Sequence, residues 1–301
     1  MILVAGGTGS LGREVVGLLL ARGEQVRVLT RQTPASAGFA GDVEVAQGDV
    51  RDAGSLTSAT AGIDLVISAV QGFAGRDASS PSAVDATGNA NLVRAAQASG
   101  VKHFVLISMY GAAMSAWMDL ARAKYAAEQA VRASAMAWTI IRPTAFMETW
   151  AQIVGAPLLQ TGRTRVFGRG NNAINFVSMH DVAKLVDLVS ADTGLRGTTL
   201  DIAGPQDLTM NDVVALFAAR RRDTPRISHV PLPLMRLASV LLRPVAGPIA
   251  RQIAAGVVMD TADLTFTGTD VRQQIAGLPQ TGFVDVVGRL PVGADAGESR
   301  P

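Results

Sequence analysis

Seven residues near the start of the chain have the composition and spacing of a phosphate-binding loop. They are Gly6, Gly7, Thr8, Gly9, Ser10, Leu11 and Gly12. Glycines at the first, fourth and seventh positions of this run permit a tight turn and let the backbone approach a pyrophosphate. If the run joins a strand to a helix, the first amides of that helix bind the phosphates. The alternative is a glycine-rich turn without a ligand, but the spacing favours a dinucleotide site.

The residues after the second predicted strand indicate which dinucleotide binds. In NAD-binding proteins, an acidic residue about 20 positions after the glycines binds the ribose 2′-hydroxyl. Here Thr30 and Arg31 occupy that place. The Arg31 guanidinium could form charge-assisted hydrogen bonds to the 2′-phosphate of NADP(H), unless it is ordinary exposed surface. The sequence therefore predicts NADP(H), with NAD(H) less favoured.

Two shorter patterns extend the predicted cofactor site. Asp49 and Val50 follow the third predicted strand, where a carboxylate could accept a hydrogen bond from adenine and an apolar side chain could contact the ring. Asp49 could equally cap the next helix. Small residues close the fourth strand, where the nicotinamide half of the cofactor is expected to pass: Ser68, Ala69 and Val70.

The elements that must position these residues form an alternating pattern. Short, nearly continuous apolar runs are typical of strands buried on both faces, and segments of helical periodicity separate them. The predicted strands are 2–5, 26–30, 43–47, 65–69, 104–108, 138–141 and 199–203, and the predicted helices are 11–21, 89–98, 118–133 and 181–190. This alternation predicts an α/β fold with a doubly wound (Rossmann) parallel sheet.

After about residue 145 the alternation ends. Residues 162–175 are rich in glycine, arginine and asparagine and are predicted to form a loop, whereas 211–222 and 234–255 have helical periodicity. The prediction is an NAD(P)-binding domain over 1–150, a small, mainly helical substrate lobe with returning sheet elements over 151–290, and a flexible tail over 291–301.

The composition excludes several kinds of site. With 48% hydrophobic and 17% charged residues, the bulk of the 301-residue chain is not intrinsically disordered. A net charge of +2 is too small to indicate a nucleic-acid partner. The absence of cysteine excludes disulfides, thiolate nucleophiles and cysteine-bound zinc, and the three histidines lack metal-ligand spacing. No metal site is therefore predicted.

No targeting or membrane-spanning segment is predicted. Residues 1–5 run directly into the glycines without a basic leader. The most apolar stretch, 231–259, is interrupted by three arginines and four prolines, whereas a span needs about 20 nearly uninterrupted apolar residues. The stretch is interpreted as amphipathic helices that pack on the body of the protein or, less favoured, on a lipid surface. A cytoplasmic location is expected.

The chain resembles the short-chain dehydrogenase/reductase superfamily, and within it the atypical, NmrA-like branch of NAD(P)-binding reductases and redox-sensing regulators. The resemblance covers roughly the first half of the chain, in the family's order. The matching stretches are 4–12, 48–52, 88–92, 104–108, 123–128 and 141–144.

The resemblance implies a Tyr-x-x-x-Lys pair on the fifth helix and a serine at the end of the preceding strand. In that family the lysine binds the nicotinamide ribose, and the tyrosine protonates the carbonyl oxygen as hydride arrives. Lys124 matches the lysine and Ser108 the serine, but Leu120 stands at the tyrosine position, so the usual acid is missing. Tyr125 does not replace it, because adjacent helical residues point about 100° apart.

Other groups could supply the proton. Tyr110 follows Ser108 by two residues and could reach the nicotinamide, or it could be an ordinary aromatic of a pocket or lid. Lys124 could itself act if it is buried. Ser108 could instead only hydrogen-bond locally. The predicted catalytic residues are therefore Lys124, Tyr110 and Ser108.

The resemblance also places the residues after the sixth strand along the nicotinamide carboxamide, the alternative being a strand-ending turn. These residues are Arg142, Pro143, Thr144 and Phe146. The predicted substrate pocket, for an apolar or aromatic small molecule, consists of Met109, Tyr110, Trp117, Phe146, Met147 and Trp150. Together these features predict an NADP(H)-dependent oxidoreductase that transfers hydride to a small apolar carbonyl, quinone or activated double bond. The alternative is a non-catalytic NADP(H)-binding redox sensor.

Overall fold

The computed structural model describes residues 1–39, 41–73, 79–221, 223–242 and 245–290. The tail predicted over 291–301 lies outside these residues. The strands are β1 (Ile2–Ala5), β2 (Val26–Thr30), β3 (Val43–Gln47), β4 (Leu65–Ser68), β5 (His103–Ile107), β6 (Ala137–Pro143), β7 (Ala145–Phe146), β8 (Arg163–Phe167), β9 (Ile174–Val177), β10 (Thr198–Ile202), β11 (Asp207–Leu208) and β12 (Arg226–Val230).

Helices connect most of these strands. The α-helices are α1 (Ser10–Ala21), α2 (Ala53–Thr60), α3 (Asn89–Ala98), α4 (Asp119–Arg132), α5 (Met147–Trp150), α6 (Ala156–Thr161), α7 (Met179–Ala191), α8 (Met210–Ala218), α9 (Leu232–Leu241), α10 (Gly247–Thr261) and α11 (Phe283–Arg289). A π-helical turn, Ser82–Gly88, leads directly into α3. None of the helices in the described ranges is long and apolar enough to cross a membrane.

The chain divides into two compact units. The first unit contains Met1–Pro143, Met179–Ile202 and Thr269–Leu278, and the second contains Thr144–Ser178, Ala203–Gly268 and the described part of Pro279–Pro301. The first unit thus ends its main segment at Pro143, and two later segments return to it.

The first unit is built on a seven-stranded sheet in the order β10-β6-β5-β4-β1-β2-β3. Each pair of neighbouring strands is parallel. The strand order reverses between β1 and β4, the switch point where open α/β sheets bind ligands at the carboxyl ends of their strands. The core lies around this sheet, and its strand residues Leu3, Phe104 and Ile140 have no solvent exposure. The predicted doubly wound (Rossmann) sheet is confirmed.

The second unit has its own core and small sheets. The Phe283 ring contacts Phe176 and Phe217 edge to face, with ring centroids 5.4 and 6.4 Å apart. The loop predicted over 162–175 is wrong, because it contains β8 and the start of β9. Along β8, exposed Arg163 and Arg165 alternate with buried Thr164 and Val166, which is the pattern of a strand with one wet face. The arginine-rich composition concealed this alternation.

His103 on β5 is buried, and protonation of its imidazole opposes folding. Burial, reinforced by the positive charge of Arg196, lowers the pKa of His103 to about 4. The Thr139 hydroxyl donates to the Leu195 carbonyl at 3.0 Å, so its oxygen accepts from His103 Nε2 at the same distance. The imidazole is therefore neutral in the folded protein at neutral pH.

We expect this histidine to weaken the fold in acid. Since its folded-state pKa lies below the ordinary value of 6.5, the unfolded chain binds the extra proton as the pH falls from about 6.5 towards about 4. Between pH 7.5 and 5.0, the free energy of unfolding of the wild type, measured in urea, should fall by up to about 2 kcal/mol more than that of His103→Gln. His229→Gln, at an exposed histidine, is the control and should behave as wild type. Equal losses in wild type and His103→Gln would contradict this assignment.

Candidate functional site

The glycine loop joins β1 to α1 in the first unit, and its packing admits only glycine at several positions. Gly6 has φ +84°, and a Cβ there would lie 2.7 Å from the Ala69 carbonyl oxygen. A Cβ on Gly7 would lie 2.9 Å from the Val28 methyl groups, and one on Gly12 would collide with the Gly6 carbonyl. The loop therefore lies tightly against β2 and the end of β4, and its glycine positions leave the backbone accessible.

The N-terminus of α1 is open to an anion. Gly9 is the N-cap, no side chain caps the helix, and its first turn has no acidic residue. By contrast, the Asp52 carboxylate caps α2 and the Thr209 hydroxyl caps α8. Because the first amides of a helix lack partners within the helix, α1 presents unpaired donors and partial positive charge beside the glycines. These residues fit a pyrophosphate.

Arg31 lies exposed just beyond β2. Within the described ranges, no hydrogen bond or ion pair engages its guanidinium. Thr30 is 7% exposed, and its hydroxyl accepts a hydrogen bond from the Gln32 amide at 3.2 Å. Of the two residues predicted here, Arg31 has donors available to a ligand, whereas Thr30 shapes the turn.

A second cation, Arg13, was not predicted from the sequence. Its guanidinium donates to the carbonyls of Thr8 at 3.2 Å, Ala37 at 2.9 Å and Gly38 at 3.2 Å, and it lies 4.9 Å from the centre of the Phe39 ring. These acceptors are uncharged carbonyls. Arg13 thus ties the glycine loop to the segment that follows β2 and adds positive charge at the loop.

Asp49 and Val50, which were predicted to contact adenine, are held by contacts within the protein. The Asp49 carboxylate accepts from Arg51 Nε at 2.9 and 3.0 Å and from the Arg51 amide at 2.9 Å. These side-chain hydrogen bonds are the main reason the pKa of Asp49 is lowered. The helix-cap alternative for Asp49 is wrong, since Asp52 caps α2. The Val50 side chain lies against Gly88 in the core, which leaves it 7% exposed.

The end of β4 connects the glycine loop to Lys124. Ser68 is fully buried, and its hydroxyl donates to Asn89 Oδ1 at 2.6 Å rather than facing a ligand. Ala69 contributes the carbonyl that Gly6 approaches. The Val70 carbonyl accepts from Lys124 Nζ at 2.9 Å. Residues 68–70 therefore act mainly through their backbone at this edge of the sheet.

Lys124 on α4 is 4% exposed, and its ammonium is surrounded by oxygen atoms. Nζ donates to the carbonyls of Val70 and Ile107, each at 2.9 Å, and lies 3.0 Å from Asp85 Oδ1. Asp85 is fully buried and its other oxygen accepts from the Gly72 amide at 2.8 Å. Lys124 therefore joins the carboxyl ends of β4 and β5 to the π-helical turn. No sequence motif marked Asp85 as its counter-ion.

Ser108 and Arg142 share one buried partner, Glu128. The Ser108 hydroxyl donates to Glu128 Oε1 at 2.5 Å, and Arg142 donates to the same carboxylate at 2.8 and 2.6 Å. Arg132 adds a contact at 3.2 Å. The hydrogen bonds that Arg142 donates to Glu128 raise the pKa of the Arg142 guanidinium. Ser108 thus uses its proton within the protein, and the Arg142 guanidinium faces α4 rather than standing open for a carboxamide.

The residues at the remaining positions predicted for catalysis and for the pocket fall in both units. Leu120 is buried on α4, at 7% exposure. Tyr110 is partly exposed, and its amide donates to the Pro143 carbonyl at 2.8 Å, while Met109 next to it is also partly exposed. Trp117 is 89% exposed. These residues border the segment between β5 and α4 in the first unit.

In the second unit, the predicted residues serve its own packing. The Thr144 hydroxyl donates to Asn175 Oδ1 at 2.9 Å, and Phe146 pairs with Val177 through β7 and β9. Met147 is 1% exposed in the core with Phe176, and it is therefore a core residue rather than a pocket-lining one. Trp150 packs on the same core. Within the described ranges, no group of three or more His, Asp or Glu residues could hold a metal ion.

Comparisons with known proteins agree on the kind of fold and ligand. A family model described as NAD(P)H-binding matches residues 6–191. The NAD(P)H azoreductase of Xenophilus azovorans is 30% identical over 220 residues, which is 73% of this chain and 73% of that protein. The photosystem II assembly factor Ycf39 of Synechocystis is 29% identical over 238 residues, or 78% and 72% of the two chains.

Two further matches extend the comparison. The protein named high chlorophyll fluorescence phenotype 244 of Arabidopsis thaliana is 27% identical over 245 residues; these cover 80% of this chain but only 61% of that longer protein. The crystal structure of an NADPH-dependent quinone oxidoreductase from Escherichia coli, solved with NADPH, shares the fold with a TM-score of 0.76 at 22% identity, covering 96% of this chain and 99% of that chain.

Proposed function

We propose that this chain, which belongs to the NAD(P)H-binding family, is an NADPH-dependent reductase of small apolar acceptors on the NmrA-like branch of the atypical short-chain dehydrogenases/reductases. The observation that carries the proposal is the open N-terminus of α1 together with the exposed Arg31 just beyond β2, where the sequence has no carboxylate. When bound, the cofactor supplies a hydride to a carbonyl, a quinone or an activated double bond. The chain's residues bind it, orient it and exclude water.

The preference for NADPH over NADH rests on Arg31. Its unengaged guanidinium can donate two parallel hydrogen bonds to a 2′-phosphate. An NAD site has a carboxylate there that accepts from the ribose 2′-hydroxyl, and the sequence has no carboxylate at the end of β2. Arg13 contributes further positive charge but is already held by three carbonyls. Arg31 is therefore the residue that distinguishes the two cofactors.

We expect Arg31→Ala to weaken NADPH binding about 10- to 100-fold, the effect of losing a charge-assisted pair worth about 1.5–3 kcal/mol. NADH binding should change less than about twofold, because NADH has no 2′-phosphate to pair with Arg31. Fluorescence titration with each cofactor measures both constants. Arg196→Ala, which removes an exposed arginine elsewhere in the first unit, is the control and should bind both cofactors as wild type. Equal weakening for the two cofactors would contradict the assignment of Arg31.

The lack of an available proton at three of the predicted catalytic positions indicates which acceptors the protein can reduce. Leu120 replaces the tyrosine, Ser108 donates to Glu128, and Lys124 is surrounded by three oxygen atoms. None of these three positions holds a proton ready for a developing alkoxide. Quinones and other conjugated acceptors spread the negative charge that hydride addition creates, so they depend less on an acid than simple ketones do. Tyr110 stays the candidate donor for whatever proton the protein supplies.

Turnover of an acceptor panel tests this proposal. NADPH oxidation followed at 340 nm should be at least about 100-fold faster with 1,4-naphthoquinone than with acetophenone, since general-acid catalysis contributes about 10²–10⁴-fold. The same assay with NADH should be slower at equal concentration. A faster reaction with the ketone would contradict the argument from the missing acid. If NADPH binds measurably but no acceptor oxidises it, the proposal that the protein is a reductase is overturned.

That last outcome would favour the second candidate, a non-catalytic NADP(H)-binding regulator. Its supporting observation is that Lys124 and Ser108, two of the residues predicted to be catalytic, are bound to other parts of the protein. A regulator must respond to the redox state of the ligand. Limited proteolysis with NADPH and with NADP⁺ should then differ, whereas identical cleavage patterns would speak against this candidate.

A further inference from the structure

Helix α9 in the second unit carries an exposed apolar face. Leu234, Leu237 and Leu241 recur at helical spacing and are 56%, 57% and 62% exposed. Three more exposed aliphatic residues continue this surface from α9 through the turn to the start of α10: Val240, Val245 and Ile249. Scattered exposed leucines need no explanation, but six exposed aliphatic residues within sixteen positions are typical of an interaction surface. We call these six residues the α9 face.

The opposite side of α9 packs against α10. Met235 is 2% exposed, and its methyl group lies against Gly256 on α10. Phe167, at the end of β8, lies against the same glycine. Because Met235 and Gly256 hold α9 against α10, the leucines of the α9 face cannot turn inward without breaking this packing. The α9 face is therefore the outer surface of a packed helix pair.

The charged residues of the stretch that carries this face have a single sign. From Asp223 to Asp260 the sequence contains no acidic residue, whereas Arg226, Arg236, Arg243 and Arg251 fall between them. Arg236 lies on α9 beside Leu237 and is exposed. A partner that covers the α9 face must therefore tolerate or attract positive charge.

A cleft lined by arginines lies along β8 and β12, the strand that precedes α9. A cleft of about 450 Å³ is lined by Arg163 and Arg165 of β8 and Arg226 of β12, with apolar walls that include Ile153 and Phe167. β12 ends at Val230 and α9 begins at Leu232. Within the described ranges, no carboxylate or other acceptor engages these three guanidinium groups. Arginines without counter-ions beside an apolar wall are suited to a phosphate attached to an apolar body.

We propose that the α9 face docks on the surface of a bilayer that contains anionic lipids. Its leucines enter the boundary between headgroups and acyl chains, and Arg236 with the cleft arginines contacts lipid phosphates. Apolar side chains flanked by arginines, without acidic residues, are typical of helices that lie in a membrane interface. A second copy of the chain is disfavoured as the partner, because a two-fold interface would bring arginine-rich surfaces together.

Co-sedimentation with lipid vesicles tests the proposal. The full chain should bind vesicles of phosphatidylcholine with 30% phosphatidylglycerol, bind pure phosphatidylcholine at least about tenfold more weakly, and dissociate as NaCl rises from about 0.1 to 0.5 M. Leu237→Glu and Leu241→Glu should each lower binding at least about tenfold. The triple variant Arg163→Gln, Arg165→Gln, Arg226→Gln should lower binding to anionic vesicles by about fivefold or more per arginine.

Val284→Glu is the matched control, because Val284 is a 61% exposed aliphatic residue of α11 in the same unit but outside the α9 face. It should bind vesicles as wild type, and all variants should keep NADPH-induced thermal stabilisation. The proposal is overturned if the wild type does not bind anionic vesicles, or if Leu237→Glu binds as well as wild type. It is also overturned if light scattering shows a dimer that Leu237→Glu dissociates. These readouts are independent of turnover.

Discussion

Lys124→Met is expected to lower the free energy of unfolding by about 3–5 kcal/mol, the usual cost of removing one partner of a buried ion pair. The substitution leaves Asp85 fully buried without the ammonium that lies 3.0 Å from its Oδ1. The carbonyls of Val70 and Ile107 lose their donor as well. Urea unfolding followed by circular dichroism measures the change.

A second variant identifies the cause of that loss. Adding Asp85→Asn to Lys124→Met removes the stranded charge and retains a side chain that can face the Gly72 amide, so most of the lost stability should return. Lys102→Met is the control: Lys102 pairs with Asp64 at 2.7 Å, but both side chains are more than half exposed, so this variant should unfold nearly as wild type does. If Lys124→Met unfolds like wild type but binds NADPH at least about 100-fold more weakly, Lys124 is primarily a cofactor ligand.

Glu128→Gln is expected to lower the free energy of unfolding by about 3 kcal/mol. Glu128 is fully buried, and its carboxylate holds Ser108, Arg132 and Arg142 together. The amide keeps the shape of the side chain but removes the negative charge that compensates two guanidinium groups. It also replaces one acceptor oxygen with an NH₂ group that faces donors. Chemical unfolding measures the loss.

Glu44→Gln is the matched control for Glu128→Gln. Glu44 pairs with Arg27 at 2.8 Å on the edge of the sheet but is 51% exposed, so its loss should be below about 1 kcal/mol. NADPH affinity should change less than about threefold in Glu128→Gln, since Glu128 on α4 accepts from side chains of the protein rather than from the ligand. Retained stability together with a large loss of turnover would show instead that Ser108 and Arg142 serve the reaction.

The two experiments bear on one question about the predicted catalytic residues. Lys124 and Ser108 are present where the family resemblance places them, but both are bound to acidic groups that no motif marked. Asp85 contacts Lys124, and Glu128 contacts Ser108. These contacts join distant parts of the sequence. Ser108 and Glu128 are 20 residues apart, and Lys124 donates to the Val70 carbonyl across 54 residues. Sequence periodicity describes which side chains share a face of one element. It contains no information on which buried donor meets which acceptor from another element.

Local patterns were sufficient to predict the parallel sheet and the glycine loop. Strands buried on both faces must be continuously apolar, and a tight turn against neighbouring backbone must be glycine, so both leave their mark in consecutive residues. The same reasoning failed for β8, where alternate arginines disguised a strand as a loop. Only the tertiary structure revealed the partners of Lys124, Ser108 and Arg142, and the exposure of the α9 face. These properties depend on contacts between distant segments, and solvent exposure is decided by what those segments leave uncovered.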